Sequence, residues 1–236
     1  MHLSVINDLL EDISGLVFPH LCVSCERRLI RGEEALCLHC LQELPFTRDE
    51  EHPEDNPVAR IFWGRIRIRA AVAYLLFSKE GRVQDILHNL KYNGRQDAGI
   101  VCGRLFGEIL HRTPVFSTVE VIVPVPLHRK RLAERGYNQA ACFARGLSES
   151  MKVPLAENAL ERIRATQTQT KKSRISRMDN VEGLFSVKQP EWLQGKHILL
   201  VDDVITTGAT LEACAAPLLR LENTTVSIAG IASARG

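Results

Sequence analysis

The chain has 236 residues, long for one ordinary domain and enough for a domain with a small appendage. Apolar residues make up 45% and charged residues 25%, a balance that excludes a disordered or low-complexity chain. The formal net charge is +2, so bulk charge names no partner and local clustering has to carry that argument.

Residues 1–18 place Leu3, Ile6, Leu9, Leu10, Ile13 and Leu16 on one broad face, with acids at Asp8, Glu11 and Asp12. This predicts an amphipathic helix; a signal peptide would be basic and then continuously apolar. No apolar run approaches the ~18 residues of a membrane span. The expectation is no membrane insertion and a cytoplasmic location.

Cys22-x2-Cys25 is followed, eleven residues on, by Cys37-x2-Cys40. That is the spacing of two knuckles, each offering two thiolates to one tetrahedral ion. Ligand type favours Zn2+; a redox pair or an iron–sulfur cluster are the alternatives. Four cysteines leave no open position, so the site reads as structural, with His20 and His39 outside the ligand set. A module this small needs the stability the metal supplies. Cys102, Cys142 and Cys214 sit among apolar or small residues and read as core.

Residues 47–57, TRDEEHPEDNP, read as an acidic linker or solvated loop. They divide the chain into an appendage (1–46), a linker (47–57) and a main domain (58–236). Alternation in RIRIRAAVAYLLF predicts a strand over 65–77. A helix follows from about Gly81 to Asn93-Gly94, and another over 98–112. VEVIVPVP, at 119–126, reads as a buried parallel strand running into a loop. A helix over 138–151, a polar basic stretch over 161–180, a strand–loop–helix from His197 and a last strand through TVSIAGIASA complete the chain. Alternating strands and helices predict an α/β fold with a mainly parallel sheet.

The most informative segment is HILLVDDVITTGATLEAC. An apolar strand ends in Asp202 and Asp203, at the end where α/β sheets bind ligands. Thr206, Thr207, Gly208, Ala209 and Thr210 then turn into a helix. Small residues let backbone N–H groups approach an anion, and the helix start adds partial positive charge. Threonine hydroxyls add donors. The result is a monophosphate cradle beside two acids that suit a sugar diol, or a Mg2+ bridging diol and phosphate.

LLVDDVITTGAT resembles the phosphoribosyl-diphosphate (PRPP) motif of type I phosphoribosyltransferases. With VPVPLHRKRLAERGYNQA, LKYNGR and the cysteines, the ordered set is similar to the ComF or GntX-like family over nearly the whole chain. The resemblance implies a type I phosphoribosyltransferase-like fold with an added zinc module. It implies that Asp202 and Asp203 hold the ribose 2′- and 3′-hydroxyls, with Mg2+ accompanying PRPP, and that Thr206 to Thr210 wrap the 5′-phosphate. It assigns Leu127, His128 and Arg129 to a pyrophosphate loop; a solvated basic helix start fits the same residues. It makes the stretch carrying Arg162, Arg164, Lys171, Lys172, Arg174 and Arg177 a closing loop, where an exposed loop fits equally. Tyr92, beside Lys91 and Arg95, suits stacking on a base or surface packing.

Three functions follow from the resemblance. One is a PRPP-binding protein of DNA uptake, with single-stranded DNA and competence-machinery proteins as partners. The others are an active phosphoribosyltransferase with an unnamed acceptor, and a PRPP-sensing regulator.

Overall fold

The computed structural model describes residues 19–163 and 184–234. The helix expected over 1–18 and nearly all of the expected closing loop, Arg164 to Arg177 included, lie outside the described residues. In chain order the described elements begin with α1 (Leu38–Gln42), a 3-10 turn (Asp49–Glu51), α2 (Pro57–Arg60), β1 (Ala71–Leu76), α3 (Arg82–Tyr92) and α4 (Gln96–Arg112). Then come β2 (Val121–Pro124), α5 (Arg129–Arg135), α6 (Gln139–Met151), β3 (Leu160–Arg162) and β4 (Phe185–Val187). The last are α7 (Pro190–Leu193), β5 (His197–Ile205), α8 (Ala209–Leu219) and β6 (Thr225–Ser233).

Strands β1, β6, β5 and β2 lie in that order in one all-parallel sheet. Nearly all their side chains are buried, as strands covered on both faces require. Helices α3, α4 and α6 cover one face; α2, α8 and the antiparallel β3–β4 ribbon cover the other. No described helix is long and apolar enough to cross a membrane. The α/β reading and its parallel sheet hold, and Cys102, Cys142 and Cys214 are all buried as expected.

Two local expectations differ. The strand expected over 65–77 is shorter, Ala71–Leu76: Arg69 N–H still donates to Val226 O on β6 (2.8 Å), but the Arg65 and Ile66 N–H groups turn back to Phe62 O (3.0 and 3.2 Å) instead of joining the ladder. Ile66 and Ile68 still turn inward and pack on the core. The acidic segment expected as a solvated linker instead closes the free edge of β1. Leu76 N–H donates to Pro45 O (2.8 Å), Thr47 N–H to Tyr74 O (3.2 Å) and Ala71 N–H to Pro53 O (3.0 Å). Asp49 is buried and accepts the Ala73 N–H at 3.0 Å, while Asn56 caps α2 and donates to Ala71 O at 2.9 Å. Its acids and amides satisfy an edge that would otherwise be left unpaired.

Helices α4 and α6 cross in backbone contact. Gly99, Gly103 and Gly107 recur every four residues on one face of α4 and meet Gly146 and its neighbours on α6. A Cβ at Gly146 would stand 2.0 Å from Ile100 O, and one at Gly103 would stand 2.2 Å from Phe143 O. In an open helix Gly→Ala stabilises by about 1 kcal/mol. Here the neighbour is backbone, so overpacking reverses the sign. Gly146→Ala should lower stability by roughly 2 kcal/mol or more, read as a fall in the urea midpoint; an unchanged midpoint would mean the helices can part freely.

His197 opens β5 with its ring between Thr118 Oγ1 (2.9 Å from Nδ1) and Ser227 Oγ (2.8 Å from Nε2). Burial first, and then the Arg69 guanidinium, lower its pKa from 6.5 to about 4. The unfolded chain therefore binds the proton more tightly. The ring's contribution is complete above pH 6.5 and is lost as the pH falls towards 4. It amounts to roughly 2–3 kcal/mol. The His197→Gln protein should lose that much less stability than the parent between pH 7 and pH 4 in paired urea titrations, and equal losses would refute this reading of the buried ring.

Candidate functional site: a crevice where β2 and β5 part

Strand β2 ends with Pro124 beside Val201, whereas β6 follows β5 onward to Ile205. Val125 N–H makes one more bond to Val201 O (2.8 Å), and the chain then leaves for α5 and α6 on one face. β5 leaves for α8 on the opposite face. A crevice opens where neighbouring strands send their helices to opposite sides. It measures about 870 Å³. Asp202, Asp203, Thr206 and Thr210 line one side, and Leu127, His128, Arg131 and Arg135 line another. Lys91 and Tyr92 from the end of α3, with Arg162 from β3, line the rest.

Asp202 and Asp203 are half-buried and lie in the C-terminal part of β5, as expected, with the strand running on to Ile205. Asp202 Oδ1 accepts the Asp203 N–H at 2.8 Å, and Asp203 Oδ1 accepts the Val204 N–H at 2.8 Å. The second Asp203 oxygen, Oδ2, sits 3.0 Å from Lys91 Nζ. Burial, and then the adjacent Asp203 carboxylate, push the Asp202 carboxyl well above the usual carboxylate range. Two adjacent acids, one of them paired with the Lys91 ammonium, offer carboxyl oxygens that a diol or a divalent cation can satisfy.

The loop after β5 is fixed from behind. Gly208 has φ 72°, and a Cβ there would lie 2.7 Å from Ile61 Cγ2 and 2.8 Å from the Phe62 ring. Only glycine meets both demands. Arg65 Nη1 donates to Thr207 O at 2.8 Å, and its other nitrogen pairs with Glu212 on α8. The loop thus turns its carbonyl away from the crevice, while Thr206 and Thr210 face into it. Thr207, Gly208 and Ala209 shape the turn.

Of the three residues expected in the pyrophosphate loop, Leu127 and His128 line the crevice. Arg129 is largely exposed and lies 3.4 Å from Glu161 on β3; Arg131 and Arg135, further along α5, reach the crevice instead. His128 caps α5 by accepting the Lys130 N–H at Nδ1 (3.2 Å). RGYNQA is a locking segment. Asn138 caps α6 and donates to Val125 O (2.9 Å), Tyr137 donates to Leu90 O, and Arg135 donates to Gln139 Oε1 (2.7 Å).

Two residues at the site escaped sequence reasoning. Lys91 was legible only as a cation near a helix end, and nothing in its neighbourhood points to an acid more than a hundred residues later. Arg65 belongs to a basic alternating run, and its role as a brace for Thr207 has no local signature.

The four cysteine sulfurs all lie within 4.8 Å of one another, close enough to hold a metal ion. A tetrahedral ion with ligand bonds of about 2.3 Å would space them about 3.8 Å apart, and Cys25 and Cys37 already stand at 3.6 Å. Backbone N–H groups aim at the sulfurs, from Cys37 to Cys22 Sγ (3.3 Å) and from Cys40 to Cys37 Sγ (3.5 Å). Arg82 Nη1 stands 3.0 Å from Cys40 Sγ and offsets the charge of the thiolates. His20 and His39 are exposed and outside the cluster.

Residues 138–235 match the phosphoribosyl transferase domain family. The DNA utilization protein YhgH of Escherichia coli O157:H7 is 35% identical over 146 residues, 61% of this chain and 63% of that protein. Competence protein F of Haemophilus influenzae is 37% identical over 125 residues, 52% of this chain and 54% of the relative. Competence protein ComFC of Bacillus subtilis is 38% identical over 99 residues, 42% of this chain and 38% of the relative. The chain therefore spans less than two thirds of the length of these relatives. Among solved structures, the glutamine PRPP amidotransferase of B. subtilis superposes with a TM-score of 0.40 at 20% identity, covering 60% of this chain and 30% of that one. Over residues 138–235 the chain is similar to phosphoribosyl transferase domains, and over half or so of its length it is similar to the competence F, ComFC and YhgH proteins.

Proposed function

We propose that the chain binds PRPP with Mg2+ in the crevice between β2 and β5 and serves in the handling of incoming DNA. The observation that carries the ligand is the β5–α8 junction: two adjacent acids followed by a threonine loop, opening together on a basic crevice. Thr206, Thr210 and the first amides of α8 would hold the 5′-phosphate. Asp202 and Asp203 would take the ribose 2′- and 3′-hydroxyls. Arg131 and Arg135 would face the diphosphate, with His128 donating through Nε2. Mg2+, when bound, would neutralise diphosphate charge and aid its departure.

If transfer occurs, the bond from ribose C1 to diphosphate breaks, diphosphate leaves with the electron pair, and a nucleophilic acceptor bonds C1, as positive charge develops on the sugar ring. The chain's part is then positioning and electrostatic stabilisation by the Asp202–Asp203 pair. The DNA-handling part rests on the relatives, one named for DNA utilization and two for competence. It fits a surface on which an exposed Tyr92 stands between the His88 ring (5.0 Å) and the Arg135 guanidinium (5.4 Å), a stacking platform for single-stranded DNA. Zn2+ is the ion we assign to the four cysteines, on their number and spacing. Titration of the zinc-loaded chain with PRPP and Mg2+ by calorimetry should show saturable binding at one site. No heat at millimolar ligand would sink the PRPP reading and leave DNA binding through the basic surface as the function to pursue.

A further inference from the structure

Helix α3 touches both the cysteine cluster and the crevice. It has 11 residues and spans about 16 Å. Arg82, its first residue, reaches Cys40 Sγ and pairs with Glu43. Asn89, seven residues on and so on the same stripe, donates to Val23 O between the first two cysteines at 2.8 Å. The opposite stripe carries Gln84, His88 and Lys91 into the crevice, and Lys91 ends on Asp203. Val83, Ile86, Leu87 and Leu90 are buried against the core, so the helix moves as a unit.

We infer that α3 is a strut through which the metal-loaded cysteine cluster sets the position of Lys91 against Asp203, with Arg82 and Asn89 as positioning residues. The three bonds to the module, two from Arg82 and one from Asn89, are polar and lie on the side of the helix away from the crevice. Val23 O is held where Asn89 needs it because Cys22 and Cys25 are tied to Cys37 and Cys40 by the ion. Cys40 Sγ draws Arg82 because a metal-bound thiolate is an anion. Without the ion both partners drift, the helix keeps its apolar face in the core but loses its polar tethers to the module near each end, and the Lys91–Asp203 contact loosens with them. A site usually read as inert scaffolding thus tunes ligand affinity. The affinity part of this inference rests on the PRPP reading; the mechanical part does not.

The test uses the full, metal-loaded chain and its Asn89→Ala and Arg82→Met forms, with metal content measured in each. Two quantities are read: hydrogen exchange of the amides from Val83 to Tyr92, and the Kd for PRPP with Mg2+. Both variants should keep the metal, exchange about tenfold faster at the end of α3, and bind about tenfold more weakly. In a Lys91→Met background the Asn89→Ala loss should shrink below twofold, because Lys91 carries the effect. Exchange and Kd within twofold of the parent in both variants would overturn the proposal. So would an undiminished loss in the Lys91→Met background, which marks plain destabilisation. If the parent binds no PRPP, the functional reading fails and exchange alone decides: acceleration upholds the strut and unchanged protection overturns it.

Discussion

Replacing both Asp202 and Asp203 by asparagine should abolish measurable PRPP binding, a loss of more than about a hundredfold in affinity, while the unliganded protein becomes more stable. The first effect follows from the geometry: these are the carboxylates that β5 delivers to the crevice, and no other described acid lines it. Each ionised acceptor pair lost costs about 1.5–3 kcal/mol of hydrogen bonding. The second follows from their proximity. Burial and the neighbouring carboxylate raise the Asp202 pKa. The folded chain therefore holds that proton more tightly than the unfolded one, and ionising it at neutral pH works against the fold. Asp202→Asn alone should raise Tm by about 2–4 °C, equivalent to about 1 kcal/mol. A variant that lost both binding and stability would point to unfolding rather than to a ligand role. Opposite signs in the two measurements are the mark of a site that trades stability for binding.

Metal removal should have the largest effect on stability. The module over residues 19–46 holds Val23, Ala35, Leu36 and Leu44 as its own buried apolar residues, alongside three of the four cysteines. That is too little to fold a segment of this size unaided. In comparable peptides zinc supplies about 10–16 kcal/mol of apparent binding energy, which becomes folding energy. The purified chain should contain one zinc per molecule. A strong chelator should expose all four thiols to a thiol reagent and unfold residues 19–46, seen as loss of exchange protection there. The sheet from β1 to β6 should survive, because its core is complete without the module's residues on the α8 side. Substitution of Cys37 by serine should reproduce the chelated state. A chelated protein whose buried Cys22, Cys37 and Cys40 thiols stayed protected would show that packing against α4, including the Arg104–Glu34 pair, suffices to hold the module.

How much of this the residues announce varies with the range of the interaction. The cysteine spacing and the VDDVITTGAT run are local codes. Their geometry follows from a few consecutive residues, and the structure gathers the four sulfurs and opens both acids on one crevice. The helices over Arg82–Tyr92 and Gln139–Met151 follow from period and caps within a residue or so. What stayed hidden is non-local. The 47–57 segment looks solvated because its side chains are acidic, yet Asp49 and Asn56 spend that polarity on the β1 edge. Basic residues of LHRKR are interchangeable in a composition count. Only the turn of α5 decides that Arg131 and Arg135 reach the crevice while Arg129 turns to Glu161. Arg65 and Thr207 lie 142 residues apart, and their bond depends on how α2 and α8 pack.

The most direct test of the phosphoribosyl site is a titration of the isotope-labelled, zinc-loaded chain with PRPP and Mg2+, following backbone amide resonances. Binding as proposed moves the amides of Thr206 to Thr210 and of Asp202 and Asp203 together, saturably, with smaller shifts around Lys91 and Arg131. Shifts confined to other parts of the molecule, or none at millimolar ligand, would contradict the account.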